Sequence, residues 1–333
     1  MPPVPHAVGA LPLAFNESDT DMDIQNQTWG RMDFPPSAKK ETRSGFETEA
    51  DALAEDQLRA TSIRRALPPL ANKVRSRKRV AWLLRNTHAG LPSPPVKRRD
   101  AKDLAAKLKA GSETGFPPPS LASSAHMRLI RRRVLGALLS AVEDYQDDEL
   151  ATFTIIDSSL RYSPEELDAI SAETIKNRWI THLKRFGISN QTGFLLAFLH
   201  GEFEPTSRTY QVHFHGVGTK EKVEALRRLL GHLGYTTTST GAPCLRIDGV
   251  KDRVPQLSYL LKSYWPEKAV RLVNGKPKRD RKAQRVKEPF QTQYLLWLDR
   301  QQLSALTIFN GGWSRRNGGP ETMRQLYLSI YSR

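Results

Sequence analysis

The 333 residues contain a single cysteine, Cys244. One thiol closes no intrachain disulfide and cannot build a cysteine-rich zinc ribbon, so neither device is expected to hold this chain together. Acidic residues are scarce relative to basic ones: 35 Asp and Glu stand against 51 Lys and Arg, a formal net charge of +16. An excess of that size favours a polyanionic partner, most simply nucleic acid. No apolar run approaches the ~20 residues of a membrane-spanning helix, so no membrane partner is expected. The N-terminus has no basic segment followed by an apolar core, so no secretory leader is expected, and a reducing cytoplasm is the expected compartment. Gly311 to Gly319 is rich in glycine but lacks the spacing and the terminal Lys-Ser/Thr of a phosphate-binding loop, so no ATP site is expected there.

What the sequence does contain is Tyr210-Gln211-Val212-His213-Phe214-His215-Gly216. The alternation is that of a strand, in which side chains two apart share a face. His213 and His215 then point one way, and Val212 and Phe214 point the other, into a core. Two imidazoles on one rigid face form half of a divalent-metal site. Taken alone, a His-x-His pair is more often two ordinary histidines, so the neighbouring runs carry weight. Before it lies Gly193 to Glu204, and Pro205-Thr206-Ser207-Arg208 reads as the turn of a hairpin. A four-residue loop sets Glu204 opposite Thr209, Glu202 opposite Gln211 and His200 opposite His213. That register puts His200, Glu202 and Glu204 on the histidine face, where one of them can serve as a third ligand. A loop longer or shorter by one residue breaks this arrangement.

After it lies Val254 to Pro266, read as a short helix with Asp252 as its cap, Pro255 in its first turn and Pro266 as its end. On a helical wheel Leu257, Leu260, Leu261 and Tyr264 form an apolar face. Tyr259 and Lys262 fall together on the opposite side. The wheel therefore assigns Tyr264 to the core and presents Tyr259 outward beside a cation, as a tyrosine nucleophile requires.

Together, the strand Thr152-Phe153-Thr154-Ile155-Ile156, the His213-Phe214-His215 strand and the Tyr259 to Lys262 pair resemble, in order and spacing, the three motifs of the HUH endonucleases. These are the rolling-circle replication initiators of plasmids and single-stranded DNA phages, with related transposases and relaxases. The resemblance covers roughly residues 148 to 268. It implies a nickase in which His213 and His215, with His200 or Glu202, hold Mg or Mn. It implies that Tyr259 attacks the scissile phosphate and leaves a 5′-phosphotyrosyl link. A phenol of pKa about 10 needs help at neutral pH, which the metal and Lys262 would supply. The implied partners are single-stranded or origin-hairpin DNA and a host polymerase. No helicase motif is evident, so a host helicase is expected too.

The rest of the chain is organised around this block. Residues 1 to 45 are locally acidic and rich in Pro, Asn, Asp and Ser, as in a disordered tail. Residues 46 to 120 form a basic helical region with Pro-rich linkers. In it a helix is expected over 47 to 66, and Arg75, Arg77, Lys78 and Arg79 precede Trp82 on a stretch suited to a DNA backbone. Pro92, Pro94, Pro95, the Lys97-Arg98-Arg99 cluster and Pro117 to Pro119 mark linkers. The nickase domain spans 121 to 270. A helix starts at Ala125, and a second runs from Ser163-Pro164 to about Phe186. A third spans Lys220 to about Gly231, and a strand is expected at Cys244 to Val250. Residues 271 to 333 hold a basic loop with Lys276, Lys278 and Arg279, followed by a helical region over 288 to 307. Strand, helix, hairpin, helix, strand and helix in that order predict an α+β fold, an antiparallel sheet with helices packed on it and one face left open.

Two other classes compete. A cupin-type barrel also uses His-x-His but needs a Glu four or five residues on, whereas the next acid here, Glu221, is six residues away. A basic nucleic-acid-binding protein without catalysis explains the charge but not the Tyr259–Lys262 pair. Within the nickase reading, replication initiation ranks ahead of an HUH-type transposase or relaxase.

Overall fold

The fold is that of a computed structural model, which describes residues 48–67, 96–235, 237–238, 243–274, 276–279, 283–313 and 319–331. Its first helix, α1 (Glu49–Ala66), opens on a capping box in which Thr48 and Asp51 satisfy each other's backbone N–H. The Lys97-Arg98-Arg99 cluster, expected in a linker, instead leads into α2 (Arg98–Thr114). Its Ala101, Leu104, Ala105 and Leu108 recur on one face and are buried, so apolar periodicity outweighs the basic start. Helix α3 (Ser124–Ala141) leads to β1 (Leu150–Ile155) and the short β2 (Arg161–Tyr162).

The helix expected from Ser163 to Phe186 is two: α4 (Pro164–Ala169) and α5 (Ala172–Arg185). Ile170 is extended, and the Ser171 side chain accepts from Thr174 N–H, so a second N-cap interrupts the run. Then come β3 (Phe194–Glu204), β4 (Thr209–Thr219), α6 (Lys220–His232), β5 (Leu245–Gly249) and α7 (Arg253–Ser258). The remaining chain forms β6 (Pro266–Glu267), β7 (Val270–Val273), β8 (Lys276–Arg279), β9 (Gln284–Arg285), α8 (Phe290–Asp299), α9 (Leu303–Leu306), β10 (Thr307–Gly311) and α10 (Glu321–Tyr331).

The class is α+β. The central strands β5, β1, β4 and β3 are antiparallel neighbours in that order, and β10 pairs antiparallel with the first half of β3. The sheet is nevertheless mixed, correcting the antiparallel expectation: β6 meets β3 in parallel, with Phe203 opposite Glu267. The helix expected over 288–307 is two, α8 and α9, interrupted at 300–302, and Thr307 opens strand β10. The basic segment expected as a loop over 271 to 287 instead holds a two-stranded ribbon, β7 with β8, and then β9. Asn274, at φ 53, turns that ribbon just before Gly275; Asn-Gly is the preferred two-residue hairpin turn.

One face of the sheet is packed and the other carries the histidines. Phe214 meets Trp179 of α5 edge-on at 5.6 Å, and Phe203 stacks on Phe290 of α8 at 4.5 Å. Gly201 belongs to this packed face. A Cβ there would lie 2.4 Å from the Trp265 ring, which stacks on Tyr294 at 5.4 Å. One cluster of buried apolar side chains runs from Ala60 in α1 to Ile330 in α10. Among the described residues no helix is long and apolar enough to cross a membrane.

Candidate active site

The hairpin has the register that its four-residue turn predicts: His200 opposite His213, Glu202 opposite Gln211 and Glu204 opposite Thr209. Glu204 fixes that turn, accepting from Thr206 N–H at 2.9 Å and Ser207 N–H at 2.6 Å. Glu204 is thereby committed to the loop and to Val270 N–H rather than to a ligand site.

His213 and His215 share a face, and their Nε2 atoms converge to 3.0 Å. The Gln211 carbonyl, which can only accept, lies 3.2 Å from His213 Nδ1. That contact assigns the His213 proton to Nδ1 and leaves Nε2 with its lone pair. His215 Nδ1 lies 2.8 Å from Thr154 Oγ1 on β1, which orients the second ring. Gly216 lets β1 approach: a Cβ on it would stand 2.2 Å from Phe153 Cζ. Two ligands at right angles, each about 2.1 Å from an octahedral cation, lie about 3.0 Å apart. The His213–His215 spacing matches two adjacent ligands of the six such a site needs.

Burial pushes the His213 imidazole down to about 4, against the pull of the Glu202 carboxylate. Burial, then Lys262 and His213, holds His200 well below the usual range; burial, then His213 and Lys262, does the same to His215. All three rings are neutral at pH 7, the form that ligates a metal.

The other two expected ligands are differently engaged. His200 donates from Nε2 to the Leu260 carbonyl at 2.5 Å, although its ring centre is 5.2 Å from that of His215. Glu202 is ion-paired with Arg279 and, at 3.3 Å, with Lys268. Burial works to raise its carboxyl, but His213 when protonated, Lys268 and Arg279 outweigh it and hold Glu202 below the ordinary range. Among the described residues no three His, Cys, Asp or Glu side chains converge on one point.

Tyr259 comes to the same place by another route. α7 tightens into a 3₁₀ turn at Tyr259–Leu261, and Lys262 leaves it with ψ 140. The helical wheel therefore fails at Lys262: the lysine is buried rather than outward, and the helix ends before it. Leu257, Leu260, Leu261 and Tyr264 are buried as the wheel requires. Tyr259 is half-buried with its ring 5.1 Å from that of His215, and Lys262 Nζ is 3.5 Å from its hydroxyl. The pairing of tyrosine and lysine holds although the helix geometry that suggested it does not. Tyr259, His213 and His215 border a cleft of about 840 Å³, whose other walls include Thr154, Arg227, Arg246, Lys268 and Arg279.

Of the expected DNA contacts, Arg75, Arg77, Lys78 and Arg79 lie outside the described residues, as do the acidic N-terminal segment and Trp82. Lys276, Lys278 and Arg279 lie in β8, and Arg279 reaches Glu202. Lys268 and Arg246, which the sequence reading passed over, line the cleft. Lys268 lies two residues after Pro266, and its nearness to the basic run that starts at Arg271 was the signal available for it. No protein-family model, curated protein or solved structure matches the chain.

Proposed function

We propose that the protein is a metal-dependent single-strand DNA nickase and strand transferase of the HUH type, acting in rolling-circle replication initiation. The observation that carries this reading is the juxtaposition of the Tyr259 hydroxyl, 3.5 Å from the Lys262 ammonium, with the converging Nε2 pair of His213 and His215. A bound Mg or Mn would polarise the scissile phosphate and stabilise its developing charge. His213 and His215 would hold it through Nε2; Glu202 could join them only by leaving Arg279 and Lys268. Lys262, 3.5 Å from the Tyr259 hydroxyl, faces the charge that grows on phosphate as that oxygen attacks. The Tyr259 oxygen forms a bond to phosphorus as its proton passes to solvent. The P–O3′ bond breaks, and the 3′ oxygen leaves with the electron pair and takes up a proton. The 5′ end remains on Tyr259, and a later 3′-hydroxyl reverses the exchange. Arg227, Arg246, Lys268 and Arg279 outnumber the acids of the cleft wall, Glu202 and Asp248, and although each is ion-paired the excess favours an anionic strand.

The engagement of Glu202 by Arg279 and Lys268 favours a second reading, a basic nucleic-acid-binding protein without catalysis. Covalent trapping separates the two. Labelled single-stranded DNA pools that include hairpins are incubated with Mn or with EDTA and run on denaturing gels. The nickase reading expects a metal-dependent adduct, lost in Tyr259→Phe and in His213→Ala/His215→Ala and kept in Tyr264→Phe. Tight, salt-sensitive binding with no adduct on any pool favours the binding protein.

A further inference from the structure

The segment that carries Tyr259 and Lys262 is pinned from both sides. A helix leaves its last carbonyls without intrahelical donors, and any buried carbonyl beyond its end likewise needs a partner. The Leu260 carbonyl receives His200 Nε2 from the sheet. The Ser263 carbonyl receives Arg59 Nη2 at 3.1 Å, from a helix 204 residues earlier in the chain. Arg59 is fully buried. Its Nη1 donates to the Ala122 carbonyl at 2.7 Å, and its Nε donates to Glu55 at 2.9 Å. Glu55 is held in turn by Arg285. Beside it Asp56 accepts from Ser124 N–H at 2.6 Å, tying α1 to the start of α3. The planar guanidinium thus fixes the spacing between two backbone segments, with Lys262 bracketed between the Leu260 and Ser263 carbonyls.

We infer that Arg59 is a positioning residue for Tyr259 and Lys262, and that α1 is part of the catalytic unit rather than an appendage to it. The inference rests on the nickase reading for its chemistry, but the clamp itself has a readout that does not. Lysine at this position keeps the charge and loses the fork that spans two carbonyls. Displacement of reacting groups by about 1 Å can cost up to about a hundredfold in rate.

The test compares wild type, Arg59→Lys, Arg59→Met and Arg285→Ala in the full chain. Arg285→Ala disturbs Glu55 but leaves the bond to Ser263. Adduct formation is timed at saturating DNA per folded molecule, DNA affinity is measured separately, and amide exchange is followed over residues 257 to 266. Arg59→Met should slow adduct formation by about tenfold or more, with DNA affinity held within about twofold and partial recovery in Arg59→Lys. Exchange over 257 to 266 should quicken in both Arg59 variants and not in Arg285→Ala. A wild-type rate in a folded Arg59 variant, or a loss matched by Arg285→Ala, overturns the positioning role. Absence of any adduct in wild type defeats the nickase reading alone, and exchange then decides the clamp. If neither Arg59 variant folds, wild-type exchange in rising urea decides: residues 260 to 265 must open together with α1, and independent opening overturns the inference.

Discussion

The buried histidines make a quantitative prediction about acid stability. His213 has an unfolded value near 6.5 and a folded value of about 4. The folded value is the lower one, so between them the unfolded chain binds more protons. The contribution is fully present above about 6.5, is lost as pH falls and is exhausted below about 4. That displacement is worth about 3 kcal/mol for this one ring, which is 4 % exposed and so little screened by solvent. His200 and His215 are shifted in the same direction and add to the slope. His213→Gln removes the titration and keeps a side chain that can still meet the Gln211 carbonyl. Urea unfolding in EDTA, run in steps from about pH 7 to about pH 4, gives the stability difference between the two proteins. The wild-type advantage should shrink by about 3 kcal/mol across that range, with the curves converging or crossing near the acid end. Curves that stay parallel within about 0.5 kcal/mol would show that His213 is solvated and free to protonate, and would remove the electrostatic basis of the site.

Other outcomes follow from single contacts. Gly216→Ala puts a Cβ against Phe153 and the Leu196 carbonyl, so thermal unfolding should show a loss of about 1–3 kcal/mol. Asp56→Ala strands the buried N–H groups of Ser124 and Ala125, and denaturant unfolding should report a loss of about 1–3 kcal/mol. Replacing Lys276 and Lys278 by Ser should reduce the salt slope of DNA binding by about 0.7 for each phosphate contact removed, measured by fluorescence anisotropy at several salt concentrations. An unchanged slope would take the β7–β8 ribbon out of the interface.

Much of the site could be read from local pattern, because a strand's period of two assigns faces residue by residue. His213, His215 and His200 share a face for that reason, and the Pro205–Arg208 turn then sets their register. Tyr264 is buried although it lies past the helix end, but Leu257, Leu260 and Leu261 were legible from helical spacing. So was α6, whose length and amphipathic spacing suffice. The ribbon was marked by Asn274-Gly275, but the density of charge around that turn masked it.

What the tertiary structure decided depends on partners far apart in the chain. β10 becomes a strand because the free edge of β3 needs donors and acceptors, over a hundred residues away, and no local period announces that need. Glu202 lies on the predicted face, yet its occupation by Arg279 and Lys268 depends on where the ribbon and β6 dock. Lys262 comes to Tyr259 through a 3₁₀ turn that ends in an extended residue, not through α-helical spacing. Arg59 sits among ordinary helix charges in the sequence, and only burial against Ala122 and Ser263 distinguishes it. Short-range sterics and periodicity determined which faces and which turns this chain presents. Unpaired backbone groups and buried charges, which must find partners wherever the fold puts them, decided the rest.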